Sequence, residues 1–167
     1  MRVSSIVPVL ALAWTPALFA QTPAAPTPAA PVPVASIPRP TLANAQRMLT
    51  AAYAKATELR IGLSCVVVDV RGDVVAAMRM DGVPFLTIDV ARGKATTSAL
   101  FGQPSGAMGE RGPALQSIGA SAGLTLLTVQ GGLPVVNNNQ RLGGIGCSGA
   151  ASQQDEDAAR AGLAAGQ

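Results

Sequence analysis

The chain contains no histidine. That absence excludes Ser–His and Cys–His nucleophilic catalysis, His-ligated zinc, and a histidine ligand to iron supplied by this chain. Aromatic residues are scarce, at 3% of the sequence. The basic residues are scattered, with no run or stripe that would follow a phosphate backbone, and this speaks against nucleic acid as a partner. No paired carboxylates and no nucleophile–base constellation stand out, so the sequence specifies no catalytic residue and leaves enzymatic activity open. Cysteine is limited to Cys65 and Cys147. Both lie in apolar, strand-like runs, where they either bridge two adjacent strands in register or remain buried free thiols.

What is present suffices for one folded domain. The chain has 167 residues, 49% of them apolar, enough for one core. Its first residues have the order of a secretory signal peptide: Arg2, then an almost wholly apolar stretch from Ile6 to Ala20, with Ala20 as the small residue before the cut. The apolar stretch is short for a membrane span and carries Pro8 and Pro16. An uncleaved anchor is the alternative. Residues 1–20 are thus expected to be removed, leaving a periplasmic or secreted protein with no stable membrane insertion. Residues 21–40 form a Pro/Ala-rich linker of extended, polyproline type. Residues 41–167 are left as the folded domain.

Within that domain the pattern alternates between helix and strand. Leu42, Ala45, Leu49, Ala52, Ala56 and Leu59 recur at helical spacing, with Thr41 placed to cap the helix. The runs 63–70 and 73–80 flank Arg71-Gly72 and read as a hairpin, so the Arg-Gly-Asp tripeptide there serves the turn. A second helix is expected from about Pro84 to Leu100. A Gly- and Pro-punctuated connection follows, with one helical turn around 113–118. Segments 125–129, 133–136 and 141–148 read as three strands, although Gly143, Gly144 and Gly146 weaken the last unless another backbone or a ligand comes close. A final helix opens at Ser152, with Asp155, Glu156 and Asp157 near the positive end of its dipole. This order predicts an α/β (α+β) domain whose antiparallel sheet has about five strands, with helices on its faces.

Three segments carry a family resemblance: VVVDVRGDVVAAMRMDG (66–82), IDVARGKATTSALFGQPS (88–105) and GGLPVVNNNQRLGGIGCSGAASQQDEDAARAGLAA (131–165). Together they resemble the GlcG/HbpS-like haem-binding proteins, related to the C-terminal domain of PduO-type cobalamin adenosyltransferases. The resemblance implies a three-layer α/β/α domain with a five-stranded, profilin-like antiparallel sheet and assembly into a homo-oligomer. It also implies binding of haem, with a corrinoid as the alternative tetrapyrrole, and a sensor protein as partner in one group. In the HbpS-like branch a threonine of the Gly-Lys-x-x-Thr helix is linked to haem iron, and the matching residue here is Thr97. The histidine ligand of PduO-type members has no counterpart.

Val90, Lys94, Thr97 and Phe101 fall on one helical stripe. A cation, a hydroxyl and a ring on one side of a helix would suit a flat ligand bearing carboxylates. The expected ligand-binding residues are therefore Lys94 and Arg79 for carboxylates, Thr97 beside the metal, and Met80 and Phe101 against the ring. Gly93, mid-helix, would let a backbone or ligand approach. The competing reading makes the motif internal, with Gly93 packing tightly, the hydroxyls bonding back to carbonyls one turn earlier, and Lys94 paired with an acid. Function is accordingly expected to be haem or tetrapyrrole sequestration, transport or sensing. The alternatives are action on a small organic acid such as glycolate, or an oligomeric signalling or scaffold role without a small ligand.

Overall fold

The computed structural model describes residues 38–166, so the expected signal peptide and nearly all of the linker lie outside the described residues. Helix α1 spans Leu42–Leu59, and the Thr41 hydroxyl accepts the Asn44 N–H at its start. Strands β1 (Ser64–Asp69) and β2 (Val74–Arg79) form the hairpin. The Asp69 carboxylate accepts the N–H groups of Arg71 and Asp73 across its turn. Helix α2 covers Leu86–Phe101, and a 3₁₀ segment (Ser105–Arg111) leads into α3 (Gly112–Ser121), which is longer than the single turn expected. Strands β3 (Gly132–Asn137) and β4 (Gln140–Ser148) and helix α4 (Ser152–Ala165) complete the order.

The sheet is antiparallel in the order β2-β1-β4-β3. Alternation along β1 divides the core. Cys65 and Val67 face α1 and α4, in a cluster with Met48, Leu49, Ile145, Leu133 and Ala158. Val66 and Val68 face α2 and meet Ala91, Ala95 and Ala99. Three layers result, with α1 and α4 on one face of the sheet and α2 on the other. Cys65 and Cys147 stand directly opposite each other on β1 and β4 and are joined by a disulfide.

Helix α2 lies close against the sheet, and glycine allows it. A Cβ at Gly144 would run into the Ala95 carbonyl, and one at Gly146 into the Ala91 carbonyl. The backbone approach that the glycine-rich strand called for is therefore made by α2.

The sheet among the described residues has four strands, not five. The segment 125–129 forms no ladder. The edge of β3, the strand that follows this segment, is closed chemically. Cys147 N–H donates to Gly131 O, and this sets the phase of the ladder so that Gly132 and Pro134 turn their nitrogens outward. Gly132 N–H is taken by the Ser105 hydroxyl, at 2.9 Å, and Pro134 has no N–H to offer. The 125–129 segment instead runs along α2 as a strap.

Candidate functional site

The strap changes the surroundings of the Gly-Lys-x-x-Thr helix. Thr97 is fully buried. Its hydroxyl donates to Gly93 O at 2.9 Å and accepts the Leu127 N–H at 2.8 Å. Gly93 lies beneath the same segment: a Cβ there would come within 2.9 Å of the Leu127 side chain. From Gly93 to Ala99 every residue of α2 is buried, because the sheet covers one side and the strap and 3₁₀ segment the other.

Lys94 is just as enclosed. Its ammonium donates to Asp155 Oδ2 at 2.8 Å and to Cys147 O at 3.0 Å, and both side chains of the ion pair are 3% exposed. Asp155 Oδ1 accepts the Ala150 N–H, so the carboxylate is held from both ends. Lys94 and Asp155 belong to helices on opposite faces of the sheet, and their contact ties the outer layers together. The sequence places Asp155 near the positive end of the helix dipole. Its partner lies 61 residues away, and no local pattern points to it.

The expectation of a stripe projecting from α2 into an open cleft is thus corrected. Lys94 and Thr97 point inward and spend their polar atoms on the protein itself. Phe101 is half-buried and packs with Met108, Leu115 and Leu126 in a small cluster beneath α3. Met80 is half-buried and packs against the α1/α4 side of the core. Arg79 is exposed, and one of its guanidinium nitrogens donates to Val83 O at 3.0 Å, across the turn that leaves β2. That turn delivers the chain to the start of α2, about 24 Å by helical rise from Phe101. The five residues therefore do not converge on one place.

Arg79 has neighbours that the sequence reading did not single out. Phe85 is 76% exposed and Leu86 is 59% exposed, at the entrance to α2. The Ser64 and Thr87 hydroxyls, 2.8 Å apart, fasten this elbow to β1, opposite Arg79. An exposed cation and two exposed apolar side chains within a few residues make a combination suited to a flat, acid-bearing ligand. The available signal was modest: after the expected leader, Phe85 is one of only three aromatics, and it follows a proline in a turn.

No histidine exists, both cysteines are bonded to each other, and the Thr97 hydroxyl is committed. Among the described residues no cluster of three or more Cys, Asp or Glu side chains could hold a metal ion. None of the described helices is long and apolar enough to cross a membrane.

The three-layer domain with a hairpin-led antiparallel sheet defines the class, and comparison with known proteins defines the family. The chain belongs to the HbpS-like family: the model described as haem degrading protein HbpS-like matches residues 41–164. An uncharacterized 15.0 kDa protein of Citrobacter freundii, from the dhaT–dhaS intergenic region, is 33% identical over 121 residues, covering 69% of this chain and 83% of that protein. The crystal structure of a Streptomyces reticuli HbpS double mutant is 31% identical with a TM-score of 0.70, over 84% of this chain and 96% of that one. Klebsiella pneumoniae ORFY is 27% identical with a TM-score of 0.72, over 83% and 97% of the two chains.

Proposed function

We propose that this protein is an exported binder of haem or a related tetrapyrrole, serving sequestration, transport or sensing. Membership of the HbpS-like family carries the reading. The elbow supplies the means: Arg79 for a propionate, with Phe85 and Leu86 against the ring. Binding of this kind rests on apolar contact and one charge-assisted hydrogen bond, which makes it modest in affinity and without an iron bond from Thr97. The Cys65–Cys147 bridge supports export, since such bonds persist in oxidising compartments. The apolar, Arg2-led N-terminus points the same way.

Assembly into a homo-oligomer belongs to the same proposal. Met80 N–H donates to Leu63 O, and this phase turns the N–H groups of Ala77 and Arg79 away from β1. The outer edge of β2 thus lacks the blocks that close β3, and Val74, 48% exposed, adds an apolar side chain there.

Haemin titration of the purified protein tests the binding claim. A saturable Soret change, weakened about tenfold or more in Arg79→Ala or Phe85→Ala, is expected if these contacts are worth about 1.4 kcal/mol or more. Absence of any saturable change in the wild-type protein refutes the reading. Light scattering tests the assembly, and a strictly monomeric protein at all concentrations refutes that part.

A further inference from the structure

We infer that the Gly93-Lys94-x-x-Thr97 helix of this chain is a structural lock and that Thr97 is the latch of the strap, not a ligand to a bound metal. The inference stands apart from the haem reading, because its first test needs no ligand.

Three observations carry it. Leu127 N–H, in a segment outside every ladder, has the Thr97 hydroxyl as its close partner at 2.8 Å, with Gly93 O more distant at 3.4 Å. The same hydroxyl donates to Gly93 O at 2.9 Å, so its single proton is already used. The oxygen is fully buried and lies between helix and strap, where a metal could enter only after Leu127 had left. Gly93 belongs to the same device, since any Cβ would push against the Leu127 side chain and lift the strap. Lys94, between the two, faces Asp155 and Cys147 O and not the strap. The motif thus secures two connections with adjacent residues: strap to helix through Gly93 and Thr97, and layer to layer through Lys94.

A latch of this kind predicts local behaviour. The strap is also held by Leu126 in its small cluster and by the Ser105 hydroxyl on Val129 O. Loss of the Thr97 hydroxyl should therefore loosen the Leu127 region without unfolding the sheet.

Amide hydrogen exchange of the purified protein tests this, with Leu127 as reporter and Ile145, in the central strand β4, as reference. In Thr97→Val the Leu127 amide is expected to gain at least about tenfold more in exchange rate than Ile145, whose own acceleration reports the loss of global stability, and Thr97→Ser should restore slow exchange. Should Thr97→Val fail to fold, the wild-type protein still decides: adding haemin to saturation should leave Leu127 protection unchanged. Protection of Leu127 relative to Ile145 that is equal in Thr97→Val and wild type would overturn the latch. So would loss of that protection on adding haemin, because the hydroxyl would then have been surrendered to the ligand. A protein that binds no haemin at all sinks the proposed function and leaves the exchange comparison of the variants intact as the test of the latch.

Discussion

Replacing Asp155 with asparagine should destabilise this domain far more than replacing any surface acid. The substitution keeps an oxygen to accept the Ala150 N–H and nearly preserves volume, so its effect falls on Lys94. The ammonium, 3% exposed, would be left with Cys147 O as its charge-bearing partner's only replacement. Breaking a buried pair from one side costs about 3–5 kcal/mol, because a charge stays out of water uncompensated. For a domain of this size that corresponds to a fall in melting temperature on the order of 10 °C. Lys94→Met should cost a comparable amount by orphaning the carboxylate. The combined Lys94→Met, Asp155→Asn variant should recover most of the loss, since neither charge is then buried alone. Urea unfolding of the four proteins measures the coupling, which is expected to be about 2 kcal/mol or more. Glu58, whose partner Lys55 lies on the surface, provides the control, and Glu58→Gln should change stability by less than about 1 kcal/mol. Single variants that each cost under about 1 kcal/mol and add without coupling would show that the two charges do not meet in a dry interior.

Other consequences are as direct. Ser98 Oγ is buried without a hydrogen-bond partner among the described residues, whereas Thr97 next to it has two. Ser98→Ala should therefore be neutral or stabilising by up to about 1 kcal/mol, and Thr97→Val should cost about 1–3 kcal/mol, both read from urea midpoints. A destabilising Ser98→Ala would contradict the packing of α2 described above. Gly146→Ala should cost at least about 1–3 kcal/mol, or prevent folding, because its methyl meets the Ala91 carbonyl and the helix must rise off the sheet. Near-wild-type thermal unfolding of that variant would refute the close approach. Reducing Cys65–Cys147, which spans a sequence separation of 82 residues, should lower stability by about 4–5 kcal/mol on chain-entropy grounds. Unfolding curves that coincide with and without reductant would show that the thiols are not bonded.

Phe85 and Lys94 show where reading the sequence stopped short of the tertiary surroundings. Both are single residues whose meaning depends on what else reaches them. The periodicity that placed Lys94 and Thr97 on one helical stripe is real, but a stripe says nothing about which neighbour covers it. Segment 125–129 was read as a strand for its β-branched and apolar residues. It covers that stripe instead, because Pro134 and the Ser105-capped Gly132 close the edge of β3, the strand that follows it. The family resemblance was legible from three segments. The surroundings of each expected residue were not, and among those residues Arg79 is the exposed one.

By itself the sequence determined what is local. Thr41 starts α1 and Asp69 to Asp73 turns the hairpin, both through contacts within a few residues. Tertiary structure alone decided the pairing of Cys65 with Cys147, the meeting of Lys94 with Asp155, and the fate of the strap. Those contacts join positions 82, 61 and 30 residues apart. Dihedral preference and hydrophobic period act over one or two turns of chain, so they cannot choose partners at such distances. The folded layers choose them, by which polar groups they leave without water.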